Sequence, residues 1–245
     1  MQVKDIMVKN IVAVSPEDTL SKALSSMKKN KIHQLPVADG QNLYGILELK
    51  KVVTKDIDIT TAKVAGLATN TPTIEASADA NDVAPLLLNS GLRALPVTEA
   101  GRLVGIISET DLMRIAKSLV KGLDTKVGEI IVQAECVEKG ARVGSVQKIM
   151  RDKNVSRVPV TDKGRVIGVV GTLDLIRLLE GKERFFRGGR LQEPGAREKI
   201  TIEETPAESF IRPATIISGD KNVGEVIDML KNNEEVVVED GGFIG

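Results

Sequence analysis

The sequence predicts an α+β fold assembled from tandem β-α-β-β-α repeats. Three observations lead to this prediction: an apolar-Pro-Val triplet that recurs along the chain, a Gly-bearing turn after each triplet, and a helical stripe of apolar residues before it. The triplets are Leu35-Pro36-Val37, Leu95-Pro96-Val97 and Val158-Pro159-Val160, and their period is about 60 residues. A regular period of this kind indicates that each copy is one supersecondary unit.

Each triplet opens a predicted β-hairpin. A turn that contains a glycine follows the triplet, and a second apolar run follows the turn. The turn glycines are Gly40, Gly101 and Gly164, and the second runs cover residues 43–47, 103–107 and 166–170. Two short apolar runs around such a turn are typical of antiparallel strands.

A predicted helix lies on each side of the hairpin. The stripes of the preceding helices are Leu20, Ala23, Leu24 and Met27 in the first copy, Ala80, Val83, Ala84 and Leu87 in the second, and Val143, Val146 and Met150 in the third. Their spacing favours amphipathic helices. A second helix opens near Asp111 or Asp174, where a carboxylate stabilises a helix N-terminus. Because Pro85 interrupts the second stripe, we expect it in the first helical turn or in a distorted helix.

These units divide the chain into four copies and one connector. The predicted boundaries are 1–60, 61–120 and 121–180 for the first three repeats, 181–205 for a charged, Gly-rich linker, and 206–245 for the fourth repeat. The fourth copy ends at Gly245, which matches Gly105 and Gly168 of the complete copies. We therefore expect this copy to lack its last strand residues and its last helix.

Composition removes several classes of function. The chain balances 34 Lys and Arg residues against 34 Asp and Glu residues, so it lacks the net positive field on which nonspecific nucleic-acid binding relies. A single cysteine, Cys136, and a single histidine, His33, exclude an internal disulfide and a Cys/His zinc cluster. No segment has the apolar length of a membrane span. We expect a cytoplasmic protein without a membrane span, a bound metal or a nucleic-acid partner.

The motifs of the first copy resemble the CBS domain family, named after cystathionine beta-synthase. The matching segments are Val3-Lys4-Asp5-Ile6-Met7, Val14-Ser15-Pro16-Glu17-Asp18-Thr19-Leu20, His33-Gln34-Leu35-Pro36-Val37 and Leu43-Tyr44-Gly45-Ile46. The resemblance covers essentially the whole chain. It implies that repeats pair into modules around a pseudo-two-fold axis, the first with the second and the third with the fourth. The plan is similar to the four-repeat gamma subunit of AMP-activated protein kinase and to stand-alone archaeal CBS-domain proteins.

The resemblance also implies clefts between paired repeats that bind AMP, ADP, ATP or S-adenosylmethionine. In the second repeat, Gly105, Ser108 and Asp111 match the family pattern of Gly, two apolar residues, Ser or Thr, two variable residues and Asp. By resemblance Asp111 accepts the ribose hydroxyls and Ser108 reaches the ligand tail. The alternatives are a helix cap for Asp111, and a strand twist or bulge for Gly105 instead of close approach by a ligand.

The other repeats depart from this pattern. In the third repeat Asp174 matches, but Gly171 stands at the Ser or Thr position and Thr172 comes one place late. Ribose binding is therefore expected there with an altered hydroxyl contact. In the first repeat Lys51 stands where Asp is expected, which predicts a cleft that is empty or binds differently.

Further candidates come from two other places in the motif. The residue three before the proline binds the ligand tail in the family, which singles out His33 and Arg93, and in the third repeat Arg157 lies next to this position. A packing histidine and charges at a strand edge are the alternatives. Apolar positions after the leading strands line the purine slot or belong to the core: Leu67, Pro72 and Ile131.

Together these features predict a non-enzymatic regulatory protein that senses an adenosyl ligand. The two arginines favour an anionic tail. By resemblance we also expect a homodimer and an unidentified regulated protein as partners. The alternative is a scaffold or interaction protein whose clefts are vestigial, a view that Lys51, Gly171 and the incomplete fourth repeat support.

Overall fold

A computed structural model describes residues 1–55, 57–119, 121–187, 202–232 and 235–245. Within them the chain is built from four repeats of mixed helices and strands, as predicted. The first repeat contains α1 (Val3–Ile6), α2 (Leu20–Asn30), β1 (Gln34–Asp39), β2 (Asn42–Glu48) and α3 (Leu49–Val53). Its leading strand is reduced to one parallel bridge between Val14 and Val37. The sheet of this repeat therefore has two strands, β1 and β2.

The second and third repeats have complete three-stranded sheets. The second contains β3 (Ile74–Glu75), α4 (Val83–Ser90), β4 (Ala94–Glu99), β5 (Arg102–Ser108) and α5 (Glu109–Leu119). The third contains β6 (Val137–Glu138), α6 (Val143–Asp152), β7 (Arg157–Asp162), β8 (Arg165–Gly171) and α7 (Thr172–Arg187). In both, the leading strand runs parallel to the first hairpin strand, and the hairpin is antiparallel.

The fourth repeat contains β9 (Thr215–Ile217), α8 (Val223–Asn232), β10 (Val236–Asp240) and β11 (Phe243–Ile244). Between α8 and β10, residues 233–234 lie outside the described ranges. The segment predicted as a linker begins inside α7, which runs to Arg187. Residues 188–201 of that segment also lie outside the described ranges.

Two-residue turns close the hairpins, as the glycine positions predict. Ala100 and Gly101 both have positive φ, and so do Lys163 and Gly164. Two successive residues with positive φ form the tight turn whose twist matches that of antiparallel strands.

The predicted helical stripes are buried in the first and third repeats. Leu20, Ala23, Leu24 and Met27 are at most 1% exposed, and Val143, Val146 and Met150 are wholly buried. In the second repeat the stripe is less regular, since Ala84 is exposed. Pro85 is the third residue of α4, so it occupies the first turn, where a missing backbone N–H costs no hydrogen bond.

Repeats pair into two modules by exchanging their leaders. We call leader the extended segment that precedes α2, α4, α6 or α8 in its repeat. In the first module the leader of repeat one bridges to β5 through Val8 and Ile106, and that of repeat two bridges to β2 through Thr69 and Ile46. In the second module the leader of repeat four bridges to β8 through Arg212 and Val169. This reciprocal exchange is the pseudo-two-fold pairing of repeats one with two and three with four.

Helices join the two modules within the one chain. The largest apolar cluster contains residues of α2 and α3 from repeat one together with residues of α6 and α7 from repeat three. Gln147 donates a buried hydrogen bond of 2.5 Å to the carbonyl oxygen of Val53 across this contact. On the other side, α5 packs against α8, and Lys117 pairs with Asp228. Within the described residues no helix is long and apolar enough to cross a lipid bilayer.

Candidate functional site

The turn between β5 and α5 carries the most complete of the predicted motifs. Asp111 Oδ2 accepts a hydrogen bond from the backbone N–H of Ser108 at 2.9 Å and another from the Ser108 hydroxyl at 2.6 Å. Its Oδ1 accepts a bond of 2.7 Å from Arg114 Nη1. Asp111 therefore caps α5, which is the alternative role that sequence analysis left open. The contact to Oδ1 comes from Arg114, whose side chain is 65% exposed, so a ligand hydroxyl can replace it at little cost.

The close approach that Gly105 permits is made by the protein itself. A Cβ at this position would lie 2.4 Å from Met7 Sδ and 3.2 Å from the carbonyl oxygen of Val8, both in the leader of repeat one. A register shift between Val97 and Thr98 lies opposite on β4. The absent side chain of Gly105 thus makes room for the leader that crosses β5, and a role of Gly105 in ligand approach stays a prediction.

In the third repeat the predicted acceptor is already paired. Asp174 Oδ2 accepts bonds of 2.8 Å from the backbone N–H of Gly171 and from Arg212 Nε. Thr172 is wholly buried, and its hydroxyl lies 2.9 Å from His33 Nδ1 of repeat one. Thr172, which follows the Ser or Thr position of the motif by one residue, thus makes a contact between the two modules.

The first repeat replaces the motif by an ion pair. Lys51 Nζ lies 2.6 Å from Glu48 Oε1 and donates a bond of 3.3 Å to Thr69 Oγ1 in the opposite leader. Glu48 matches Ser108, and Lys51 matches Asp111. An ammonium group accepts no hydrogen bond, so this cleft has no acceptor for ribose at the position that Asp111 occupies in repeat two.

The predicted purine-slot residues do not gather around the turn of repeat two. Leu67 packs against the large apolar cluster, and Pro72 of the same leader is exposed. Both belong to the leader that crosses repeat one. Ile131 packs in a small cluster of the second module, and a Cβ on Gly245 would lie 3.1 Å from it. These positions follow from leader exchange, which places each leader on the partner repeat.

The predicted tail-binding residues converge where the modules meet. Burial, together with the positive charges of Arg93, Arg157 and Arg212, lowers the pKa of the His33 imidazole to about 3. Burial also lowers the pKa of the Arg157 guanidinium, and the positive charge of Arg93 acts in the same direction. Three arginines therefore lie near His33, and each is paired with a carboxylate: Arg93 with Glu109, Arg157 with Glu235, and Arg212 with Asp174.

Arg93 is the member of this group with a free hydrogen-bonding atom. Its Nε donates a bond of 2.9 Å to Glu109, and its carbonyl oxygen accepts the Glu109 backbone N–H. Its Nη1 is buried and has no hydrogen-bond partner among the described residues. Buried polar groups are normally satisfied. A buried N–H group beside the Ser108–Asp111 turn is therefore available to an anion.

Two further residues of this region, Arg212 and Glu235, are not marked by the repeat motifs. Arg157 Nε donates a bond of 3.0 Å to Glu235, which is 8% exposed, and Arg212 Nη2 donates a bond of 2.5 Å to the same oxygen. Arg212 occupies the leader position that Val8 and Thr69 occupy in repeats one and two. An alignment of the leaders on one another would have found it.

An open cavity of about 450 Å³ lies elsewhere on repeat two. It is lined by Lys4, Asp5, Met7, Lys9, Ala76, Glu99 and Val104. Glu99 lies at the hairpin turn, at the opposite end of β5 from Ser108. The cavity therefore does not coincide with the predicted cleft.

Comparison with known proteins places these elements in a family context. The sequence-family model of the CBS domain matches residues 3–58, 63–118 and 127–181 of this chain. MJ1404, an uncharacterized protein of Methanocaldococcus jannaschii, is 33% identical over 216 residues, which cover 83% of this chain and 50% of MJ1404. Human 5'-AMP-activated protein kinase subunit gamma-3 is 27% identical over 202 residues, which cover 70% of this chain and 40% of that subunit. The chain spans half or less of the length of both relatives.

A solved structure shares the fold over nearly the full chain. It is the crystal structure of MJ1225 from Methanocaldococcus jannaschii, described as a candidate archaeal homologue of g-AMPK. The TM-score is 0.83 with 21% identity, and the match covers 99% of this chain and 94% of MJ1225. At that identity the likeness concerns the arrangement of the backbone.

Proposed function

Because the chain belongs to the CBS domain family, we propose that it is a non-enzymatic regulatory protein that senses AMP, ADP, ATP or a related adenosyl ligand such as S-adenosylmethionine. The proposed cleft is the one built on repeat two. There Asp111 receives the ribose hydroxyls, Ser108 lies beside the ligand tail, and Arg93 binds the tail. The relative named for AMP activation is consistent with this choice of ligand.

The observation that carries the proposal is the buried, unpartnered Nη1 of Arg93 next to the Asp111 turn. A hydrogen bond between a guanidinium and a phosphate is charge-assisted and stronger than one between neutral groups. A nucleotide that reaches from Asp111 to Arg93 offers its ribose hydroxyls to the Asp111 carboxylate and a phosphate oxygen to the unpartnered Arg93 Nη1. Among the adenosyl ligands this favours those with a phosphate tail.

Regulation follows from the site's position between the modules. The tail-binding region contains His33 of repeat one, Arg93 of repeat two and Arg157 of repeat three. A ligand whose tail binds between the modules stabilises one relative arrangement of the modules over another. Only such a difference in affinity between two arrangements transmits a signal to a partner.

Calorimetric titration tests the proposal. AMP, ADP, ATP, S-adenosylmethionine and unphosphorylated adenosine are titrated into the wild-type chain and into R93Q. We expect AMP to bind at least about tenfold more tightly than adenosine, and R93Q to remove most of that difference, since a bond to a charged group contributes about 1.5–3 kcal/mol. R102Q makes the same change at an exposed arginine of the same hairpin and is the matched control. Equal affinities for AMP and adenosine, or no binding at all, would refute the proposal.

A scaffold or interaction protein with vestigial clefts is the second candidate. It is favoured by the Lys51–Glu48 pair in repeat one and the Arg212–Asp174 pair in repeat three, which occupy the corresponding positions of two clefts. In that case no adenosyl ligand would raise the melting temperature of the protein.

A homodimer, a regulated protein partner and a cytoplasmic location belong to the same proposal, as the family resemblance implies. Light scattering of the purified chain, with and without AMP, tests the dimer. A monomer mass under both conditions would refute that part and leave the cleft proposal intact.

A further inference from the structure

Arg212 distinguishes the cleft of repeat three from that of repeat two. Each leader crosses the strand that leads into the partner's motif turn, and one residue of the leader bridges to that strand. Val8 bridges to Ile106 in repeat two, and Arg212 bridges to Val169 in repeat three. The corresponding turn acids are Asp111 and Asp174. The bridging residue is therefore an apolar valine in one module and an arginine in the other.

The guanidinium of Arg212 engages the acid of its cleft directly. Its Nε lies 2.7 Å from Asp174 Oδ1 and 2.8 Å from Asp174 Oδ2, and its Nη2 lies 2.5 Å from Glu235 Oε1. The side chains of Asp174 and Glu235 are only 7% and 6% exposed, respectively. Two shielded carboxylates thus share one cation, an arrangement much stronger than an exposed ion pair.

This pairing competes with ribose for the same atoms. Gly171 N–H and Arg212 already occupy both oxygens of Asp174. For a ribose diol to bind, it must displace the guanidinium, which leaves shielded charges unpaired. At Asp111 the corresponding arginine contact comes from Arg114, whose side chain is 65% exposed and leaves at little cost.

We infer that Arg212 is a specificity-determining residue that closes the cleft of repeat three to adenosyl ligands, so that the chain binds a single ligand, through repeat two. The inference rests on the proposed function for its ligand. It adds that the residue at the bridging position of the leader decides whether a cleft with an aspartate in its turn accepts ribose. Arg212 acts on the ligand through Asp174.

Exchange of the two leader residues tests the inference. R212V gives repeat three the residue that crosses repeat two, and V8R gives repeat two the residue that crosses repeat three. Calorimetric stoichiometry with AMP is the measurement. We expect one site in the wild-type chain, two in R212V, and binding weakened by about tenfold or more in V8R, because an arginine paired to Asp111 must be displaced.

The structure supplies controls for both variants. R165V removes an exposed arginine from the turn of the neighbouring hairpin, and V132R adds an arginine at the matching leader position of repeat three, where the valine is 83% exposed. Neither is expected to alter stoichiometry or affinity. In R212V, Glu235 keeps Arg157 and Asp174 keeps the Gly171 N–H, so we expect a folded protein with a cooperative thermal transition.

The outcomes separate this inference from the proposed function. A second site in R212V together with weakened binding in V8R supports the inference. If folded R212V keeps the wild-type stoichiometry, or if R212V does not fold and V8R binds AMP as tightly as wild type, the inference is wrong. If the wild-type chain binds no adenosyl ligand, the proposed function fails; one AMP bound by R212V would then still support the role of Arg212 in closing repeat three, and no binding by folded R212V would overturn it.

Discussion

At the scale of single residues, Asp111 combines two roles in one carboxylate. It caps α5 through the Ser108 N–H and hydroxyl, and we propose it as the ribose acceptor through Oδ1, which the exposed Arg114 holds. The two roles reinforce each other, because a capped carboxylate is held in one orientation before a ligand arrives. Asp174 accepts the Gly171 N–H, and the guanidinium of Arg212 contacts both of its oxygens.

His33 makes stability depend on pH in a defined window. It is the only histidine, and its pKa is about 3 in the folded protein against 6.5 for the free side chain. Between these values the unfolded chain binds a proton that the folded chain does not. The free energy of unfolding is therefore highest above about pH 6.5 and falls on acidification, by up to about 1.4 kcal/mol per pH unit.

Urea denaturation at pH 7 and pH 5 measures this effect above the range in which carboxylates titrate. The wild-type chain should lose stability over this range, and H33Q, which keeps a hydrogen-bonding group toward Thr172, should lose much less. Equal losses in the two proteins would show that His33 is not buried in its neutral form.

At the scale of elements, the leaders depend on glycines in the strands they cross. A Cβ on Gly168 would lie 2.4 Å from the carbonyl oxygen of Arg212, and the φ of this glycine is +153°. At Gly105 the nearest atom is instead the sulfur of the flexible Met7 side chain. Backbone cannot move aside as a side-chain tip can.

We therefore expect G168A to lower the free energy of unfolding by about 2 kcal/mol or more, and G105A by about 1 kcal/mol. Chemical denaturation of both variants measures the difference. A larger loss in G105A than in G168A would contradict the account of leader packing given above.

The elements also show how far sequence reasoning reaches. The hairpins and the helices of repeats one and three were predictable, because turn glycines and apolar spacing are local signals. The contact between His33 and Thr172 joins residues 139 positions apart, and Arg212 meets Asp174 across 38 positions. No feature of the local sequence identifies pairs that lie so far apart along the chain. Leader exchange also carries Leu67 and Pro72 to repeat one and Ile131 to repeat four, and two-residue leading strands give no local signal of which repeat they cross.

At the scale of the whole molecule, the modules share one apolar core. Met150 of repeat three is wholly buried in a cluster that includes Leu24 and Met27 of repeat one. The free energy of both modules therefore depends on the same side chains, and we expect the chain to unfold in one cooperative transition.

M150A tests this shared core. It should lower the free energy of unfolding by about 2–5 kcal/mol and keep a single transition, because the cavity affects both modules at once. Met229 is a half-buried residue of the small cluster between repeats three and four, so M229A should lower the free energy of unfolding by less than M150A does. Two separate transitions in M150A, one of them at the wild-type midpoint, would mean that the modules fold independently.

The central claim is that an adenosyl ligand binds on repeat two, with its ribose at Asp111 and its tail at Arg93. A crystal structure of the wild-type chain grown with excess AMP tests this claim most directly. The account predicts ribose hydroxyls within hydrogen-bond distance of Asp111, the phosphate on Arg93 Nη1, and Arg212 still paired with Asp174. AMP bound at Asp174 with Arg212 displaced, or ribose placed away from Asp111, would contradict it.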